Sequence, residues 1–562
     1  MLRRLLATRL ESGGDAAERK LALLAALEAA PLPSAARLLE LHDHLLFLAA
    51  YPDDARVAAE ARRLLDGFSR RADLLRFRAE LADSGIAGTP VDYPFFYSTA
   101  RWLEGRWPGR LAIDWEAHDD DGLEALRGLV LATSPPSEAA WLHEREPPAR
   151  AALARLAAAG ATDAGTLLAR LAAMPGDEFT REALHESVSP FYRLRPGPGT
   201  PSRTLDRAPR SFAAPFAPPR RGRPDLATEL ARPPLAVREV RGREAARLVG
   251  LARAAMVTRA RDLDCFSYGD SRDVRRIVHE DGLEFIAIGS LPTRRLLAAA
   301  AYGLLTLRHG VPIGYVQLDA LFATSLVHFN TFETFRGADA AWVFARVLAT
   351  ARHLFGAEAF AIEPYQLGRR NDEALDSGAW WFYAKLGFAP RDPGIAALAR
   401  RERARLARHP RARTPRTTLA RLAAGYLYWE PLGRAAIVPP HAALSAAIAG
   451  RVAAQGPDPE RARRELAREA ARLCELPPRP TVTERHWLAA WAPMLLALPG
   501  IETWPADERR ALGGILRAKA GRREADFLPL ARAHPRFGPA LLELARRSGA
   551  ASDLRPKPVS EP

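Results

Sequence analysis

From Leu21 to about Ala173 apolar residues recur three and four apart, in stretches such as "LALLAALEAA" and "AARLLELHDHLLFLAAYP", and predict a succession of helices broken at Gly, Pro and Asp. No fixed-period repeat runs through them. The stretch "RLRPGPGTPSRTLDRAPRSFAAPFAPPRRGRPD" follows. Its prolines remove backbone donors and prevent regular ladders, which predicts an extended linker. Past Pro234 the pattern changes. "LAVREV" alternates as a strand does, "REAARLVGLARAAMVTRA" has helical spacing, and "LEFIAIGS" and "LLTLRHGVPIGYVQL" read as strands, the second folding back at His309-Gly310. "SLVHFNTFETF" alternates again and leads into a helix whose buried face is Phe344, Val347, Leu348, Ala351, Leu354 and Phe355, with Gly356 as its stop. "AEAFAIEPY" gives one more strand. Beyond Gly394 helical patterning returns and lasts to about Ser548.

These patterns predict an α+β fold, with a central mixed sheet flanked by helices and mostly α-helical regions at both ends. The divisions fall at 1–185 for an α-helical N-terminal domain, 186–234 for the Pro/Arg-rich linker, 235–432 for the α/β domain with a helical insertion, 433–550 for an α-helical C-terminal region and 551–562 for a disordered tail.

A length of 562 residues fits several domains, and an apolar share of 48% is enough for real cores. The net charge of +15 suggests nucleic acid as a partner. Almost all of it is Arg, however, in a chain also rich in Ala, Leu and Pro, which points to a coding bias rather than to phosphate contacts. The two cysteines, Cys265 and Cys474, cannot make a disulfide framework or a four-ligand zinc site. His42 and His44, two apart on a helix, point in different directions, so no metal site is expected. The longest apolar runs fall short of the roughly 20 residues that span a bilayer, and Arg9 and Glu11 interrupt any secretory core at the start. The expectation is a soluble, cytoplasmic protein with no membrane partner.

Two segments carry chemistry. The turn "RGADAA", Arg336 to Ala341, leads from a strand into a helix, and the free N–H groups and positive dipole end of a helix N-terminus suit a phosphate. "YAKLGF", Tyr383 to Phe388, closes a helix that follows the next strand. At this spacing the pair resembles the GNAT superfamily of acyl-CoA-dependent N-acetyltransferases, over roughly Leu235 to Asp392. The resemblance implies two neighbouring strands that part, acetyl-CoA or another acyl-CoA as co-substrate, and an amine of a small molecule or a protein as acceptor. It implies that Arg336, Gly337, Ala338, Asp339, Ala340 and Ala341, with Asn371, hold the cofactor, and that Tyr383 protonates the departing thiolate. Asp339 departs from the family, which has Gly there. A carboxylate at that position would cap the helix and repel a pyrophosphate.

Amine acylation also needs a base, and Glu333 and Glu363 stand near strand ends around the expected cleft; each reads equally as a solvated carboxylate. His328 either enters that cleft or sits in the core. "ARDLDCFSYGDSRD" falls where the family has its acceptor loops, so Tyr268 and Asp270, with Asp262 and Asp264, are candidates to hold the amine; a plain surface loop is the competing reading. Trp380 and Trp381 either wall the pocket or pack on the sheet. No closing hairpin follows Phe388, and "AAGYLYWEP" stands in for its last strand. Two other functions stay open. One is a non-catalytic GNAT-like binding or scaffolding module whose Asp339 marks a lost CoA site. The other is a nucleic-acid-associated protein that grips through the run Arg400 to Arg416.

Overall fold

Two sheets organise the chain, whose computed structural model describes residues 1–209, 216, 218–431 and 433–551. Three short strands, β1 (Val91–Tyr93), β2 (Leu111–Ile113) and β3 (Tyr192–Leu194), form an antiparallel sheet with β3 in the middle. The larger sheet has eight strands: β4 (Ala236–Val240), β5 (Gly269–Val278), β6 (Leu283–Ser290), β7 (Ala300–Arg308), β8 (Val311–Leu321), β9 (Thr324–Thr331), β10 (Ala359–Ile362) and β11 (Leu427–Trp429). They lie in sequence order, and every neighbouring pair is antiparallel except β9 and β10, which are parallel. With helices before, between and after these strands, the fold is α+β.

Burial explains the strand texture. Every residue of β6 and β7 is buried, so both read as continuous apolar runs rather than as alternation. The β7–β8 hairpin turns at His309 and Gly310, both at positive φ (47° and 84°), as a two-residue loop that follows the right-handed twist of its strands. β5 runs through the stretch whose sequence suggested an acceptor or surface loop. Its polar side chains mask the strand period because they are buried and paired. Asp270 accepts from Arg272 at 2.8 Å, Asp273 accepts from the Tyr302 hydroxyl, and Arg276 pairs with Glu284 on β6.

One apolar core runs from Leu2 to Ala545 and joins the N-terminal helices, the large sheet and the C-terminal helices. A second core gathers residues from Val91 to Leu194 around the small sheet. The region 1–185, expected as one helical domain, is therefore shared between two cores. The proline-rich stretch packs onto the rest of the chain where it is described. It supplies β3, buries Ser202 and Thr204, and adds the helix Leu226–Leu230. Neighbours provide the bonds that its prolines cannot: Thr204 Oγ1 accepts from Ala87 N at 2.9 Å and lies 2.9 Å from His42 Nε2, and Ala208 N donates to Gly310 O at 2.8 Å. The rest of the predicted linker (210–215 and 217), and the predicted tail from 552 on, lie outside the described residues.

After the helices Pro393–Arg408 and Arg416–Leu422, "AAGYLYWEP" contributes β11, antiparallel to β10. Arg416, at the end of the basic run, pairs with Asp372 and Asp376. The C-terminal helices dock on β7 through Lys519 and Glu524, a fully buried ion pair. Lys519 Nζ donates to Ala299 O at 2.8 Å and Glu524 accepts from Ala301 N at 3.1 Å. Burial lowers the Lys519 ammonium to about 8 and raises the Glu524 carboxyl. No helix of the described residues is long and apolar enough to cross a membrane.

Candidate active site

β9 and β10 pair only from Thr324 to Leu326 against Ala359 to Ala361. β9 then continues to Thr331, while Pro364 starts the short helix Pro364–Leu367 and carries the chain after β10 away. The strands part, and the gap opens into a cavity of about 620 Å³. His328 and Asn330 of β9 line it, together with Glu363, Gly337, Asn371 and Tyr383.

The phosphate-seeking turn lies at one side. Gly337 takes φ +79°, and a Cβ there would meet nothing within 4 Å, so its backbone borders open space. The helix Ala340–Phe355 begins three residues later. Gly337 and Ala340 face the cavity. On its other side the turn borders a groove of about 290 Å³, which Ala338 and Ala341 line with Arg220, Arg221 and Trp342. Asp339 does not cap the helix. Its side chain is buried, pairs with Arg308 at the end of β7 and accepts from the Tyr51 hydroxyl at 2.8 Å. Arg308 is itself buried and requires a counter-charge, which draws the carboxylate inward and away from any phosphate. Arg336, half exposed, pairs with Glu373, which also accepts from Arg261 at 2.9 Å.

Tyr383 lies on the helix Ala379–Lys385, which restarts at Gly378 (φ +67°) after the helix Asp372–Ser377. Its ring is 3% exposed and packs edge-on against Phe344, with centroids 5.4 Å apart. The hydroxyl has no hydrogen-bond partner among the described residues, and burial raises the phenol above its ordinary range, so it stays protonated. Asn371 borders the cavity, but its amide serves the backbone: Oδ1 accepts from Ala374 N and Nδ2 donates to Tyr365 O, each at 3.1 Å. The two tryptophans stand away from the cavity. Trp380 is 1% exposed in the core, and Trp381 donates Nε1–H to Thr414 Oγ1 at 2.8 Å, while Ala379, Phe382 and Tyr383 of the same helix line the opening.

Beside the parting strands three charged groups meet. His328 Nδ1 lies 2.9 Å from Glu363 Oε1, and Nε2 lies 3.4 Å from Asp319 Oδ2 on β8. Gln317 donates to Asp319 at 3.0 Å. Burial opposes the imidazolium, but the two carboxylates outweigh it and push His328 up to about 10.

Other candidates lie elsewhere. Glu333 is exposed, at the start of the short 3-10 turn Glu333–Phe335 that leaves β9, and faces a separate crevice with Arg203 and Arg259. Tyr268 is buried and donates to Glu182, and Asp270 is tied to Arg272; β5 and the junction with the small sheet hold both out of reach. Asp262, from the same loop, does line the cavity. Burial raises its carboxyl to about 6, and it accepts from Phe96 N at 2.9 Å and from Thr99 Oγ1 at 2.8 Å. Tyr93, Tyr315, Gln317, Tyr365 and Glu373 also border the cavity, outside the sequence motifs. Tyr315, Gln317 and Asp319 alternate along β8 and so share one face of the sheet, a polar stripe in an apolar strand that was open to view in the sequence. Tyr93 sits 222 positions before Tyr315 (315 − 93), beyond the reach of any local pattern.

Compared with models of protein families, with curated proteins and with solved structures, the chain gives no match.

Proposed function

We propose that the protein transfers an acyl group from acyl-CoA to an amine, the activity that its resemblance to the GNAT superfamily implies. One observation carries this reading: an unpartnered, protonated phenol and an open glycine turn at a helix N-terminus border the same cavity, where two parallel strands part. The residues present suit the co-substrate. Gly337 leaves room for a phosphate, Asp339 has its charge neutralised by Arg308, and Arg220 and Arg221 add positive charge to the groove behind the turn. The non-catalytic alternative drew on a free carboxylate at Asp339; paired inside, that carboxylate no longer favours it.

Acyl-CoA supplies the thioester carbonyl that the amine attacks. Glu363 uses the oxygen not bound to His328 to take the amine proton as the C–N bond forms. Tyr383 Oη gives its proton to sulfur as the C–S bond breaks. His328 holds Glu363 in place by a charge-assisted hydrogen bond.

Calorimetric titration with acetyl-CoA, followed by thiol detection with a panel of amines, tests the reading. Acetyl-CoA binds the wild-type chain, and Gly337→Glu abolishes binding. Tyr383→Phe keeps the acetyl-CoA Kd within about twofold and slows CoA release by about 10²–10⁴. Absence of binding at millimolar acetyl-CoA would overturn acyl transfer in favour of a non-catalytic module.

A further inference from the structure

Acyl transfer to an amine leaves the chemistry of the acceptor open, and one wall of the cavity bears on it. Tyr93, the last residue of β1, belongs to the small-sheet unit and not to the large sheet, yet it borders the cavity together with Asp262 and Tyr365. Acidic side chains at the junction keep that unit in place. Asp262 accepts from Phe96 N and Thr99 Oγ1, while Glu182, 7% exposed, accepts from Tyr97 N at 2.8 Å and from the Tyr268 hydroxyl. Arg294 adds a bond to Glu178 O at 3.0 Å. The loop that the sequence offered to a substrate amine thus fastens a second structural unit beside the cavity.

The space that remains has a consistent character. Tyr93, Tyr315 and Tyr365 present aromatic surface to it. Along the lining Asp262, Glu363 and Glu373 are matched by Arg261, Arg336 and His328, so the aromatic faces decide which body the cavity favours. The 620 Å³, bordered by Tyr93 of the 91–194 unit, must also admit the acyl thioester, which favours a small acceptor.

We propose that the acceptor is a small primary amine with an apolar or aromatic body, bound between the 91–194 unit and the large sheet, with Tyr93 setting its selectivity. This rests on the acyltransferase reading above. The experiment uses the full chain. Acetyl-CoA affinity is measured first, then CoA release with phenethylamine, butylamine and a lysine-containing peptide, for the wild type, Tyr93→Ala and Tyr93→Phe. The expected result is turnover of the monoamines and none of the peptide. Tyr93→Ala should raise KM for phenethylamine at least about fivefold, Tyr93→Phe should restore it, and the acetyl-CoA Kd should stay within about twofold throughout. If acetyl-CoA binds but the peptide is acylated as readily as the amines, or if Tyr93→Ala leaves KM unchanged, the acceptor proposal is overturned and acyl transfer stands. If acetyl-CoA does not bind, both fall.

Discussion

Asp339 shows how a single side chain can belong to one neighbourhood in sequence and another in space. Next to a helix start, a carboxylate reads as a cap and as an obstacle to phosphate; in the fold it is the counter-ion of Arg308 and the acceptor for Tyr51. Asp339→Ala would strand Arg308 without its partner and should cost about 3–5 kcal/mol in urea unfolding. Tyr51→Phe, which removes one hydrogen bond, should cost about 1 kcal/mol. His328 gives a pH test. Its proton is held more tightly in the fold than in the unfolded chain, so its contribution is complete below about pH 6.5 and is withdrawn as pH rises through about 10. Wild-type stability should fall across that window by up to about 1.4 kcal/mol per pH unit, and His328→Gln should flatten the slope; urea melts between pH 6 and 10 measure both.

At the scale of elements, the clearest signals were long and apolar. β6, the β7–β8 hairpin and the helix Ala340–Phe355 could be read from run length, a two-residue turn and 3.6-residue spacing. β5 was concealed by ion pairs, Arg276 with Glu284 buried and Asp270 with an exposed Arg272, which place charged residues where a period-two pattern calls for apolar ones. The strands of the small sheet have three residues each, too few to show any period. The hairpin turn offers a direct test. Gly310→Ala would place a Cβ 2.4 Å from Ala208 O at a φ of +84°, so it should destabilise by about 1–3 kcal/mol, read as a lowered urea midpoint. The candidate site was half legible. Turn and phenol showed in "RGADAA" and "YAKLGF", and Glu363 beside the strand end, whereas Tyr93 reaches the cavity through the packing of a separate unit, and Asp319 meets His328 through strand pairing.

For the whole molecule, what sequence patterns left out is the joining of regions. The predicted linker is built in by His42, Ala87 and Gly310, each distant along the chain. The C-terminal helices are fastened to β7 by Lys519 and Glu524. Lys519→Met leaves Glu524 buried without its cation and should cost about 3–5 kcal/mol, whereas Lys519→Met with Glu524→Leu should be less destabilised than either single change. Chemical denaturation of the three variants checks that order.

The Tyr51 hydroxyl has a last consequence. The acid beside the glycine turn is kept quiet partly by a residue some 290 positions upstream, so the central sheet is not a portable cassette. A trimmed piece starting near Leu235 would keep Arg308 but lose the Tyr51 hydroxyl, leaving that acid one partner short beside the groove. Assays on such a piece would report on a turn whose acid is held less firmly than in the whole chain.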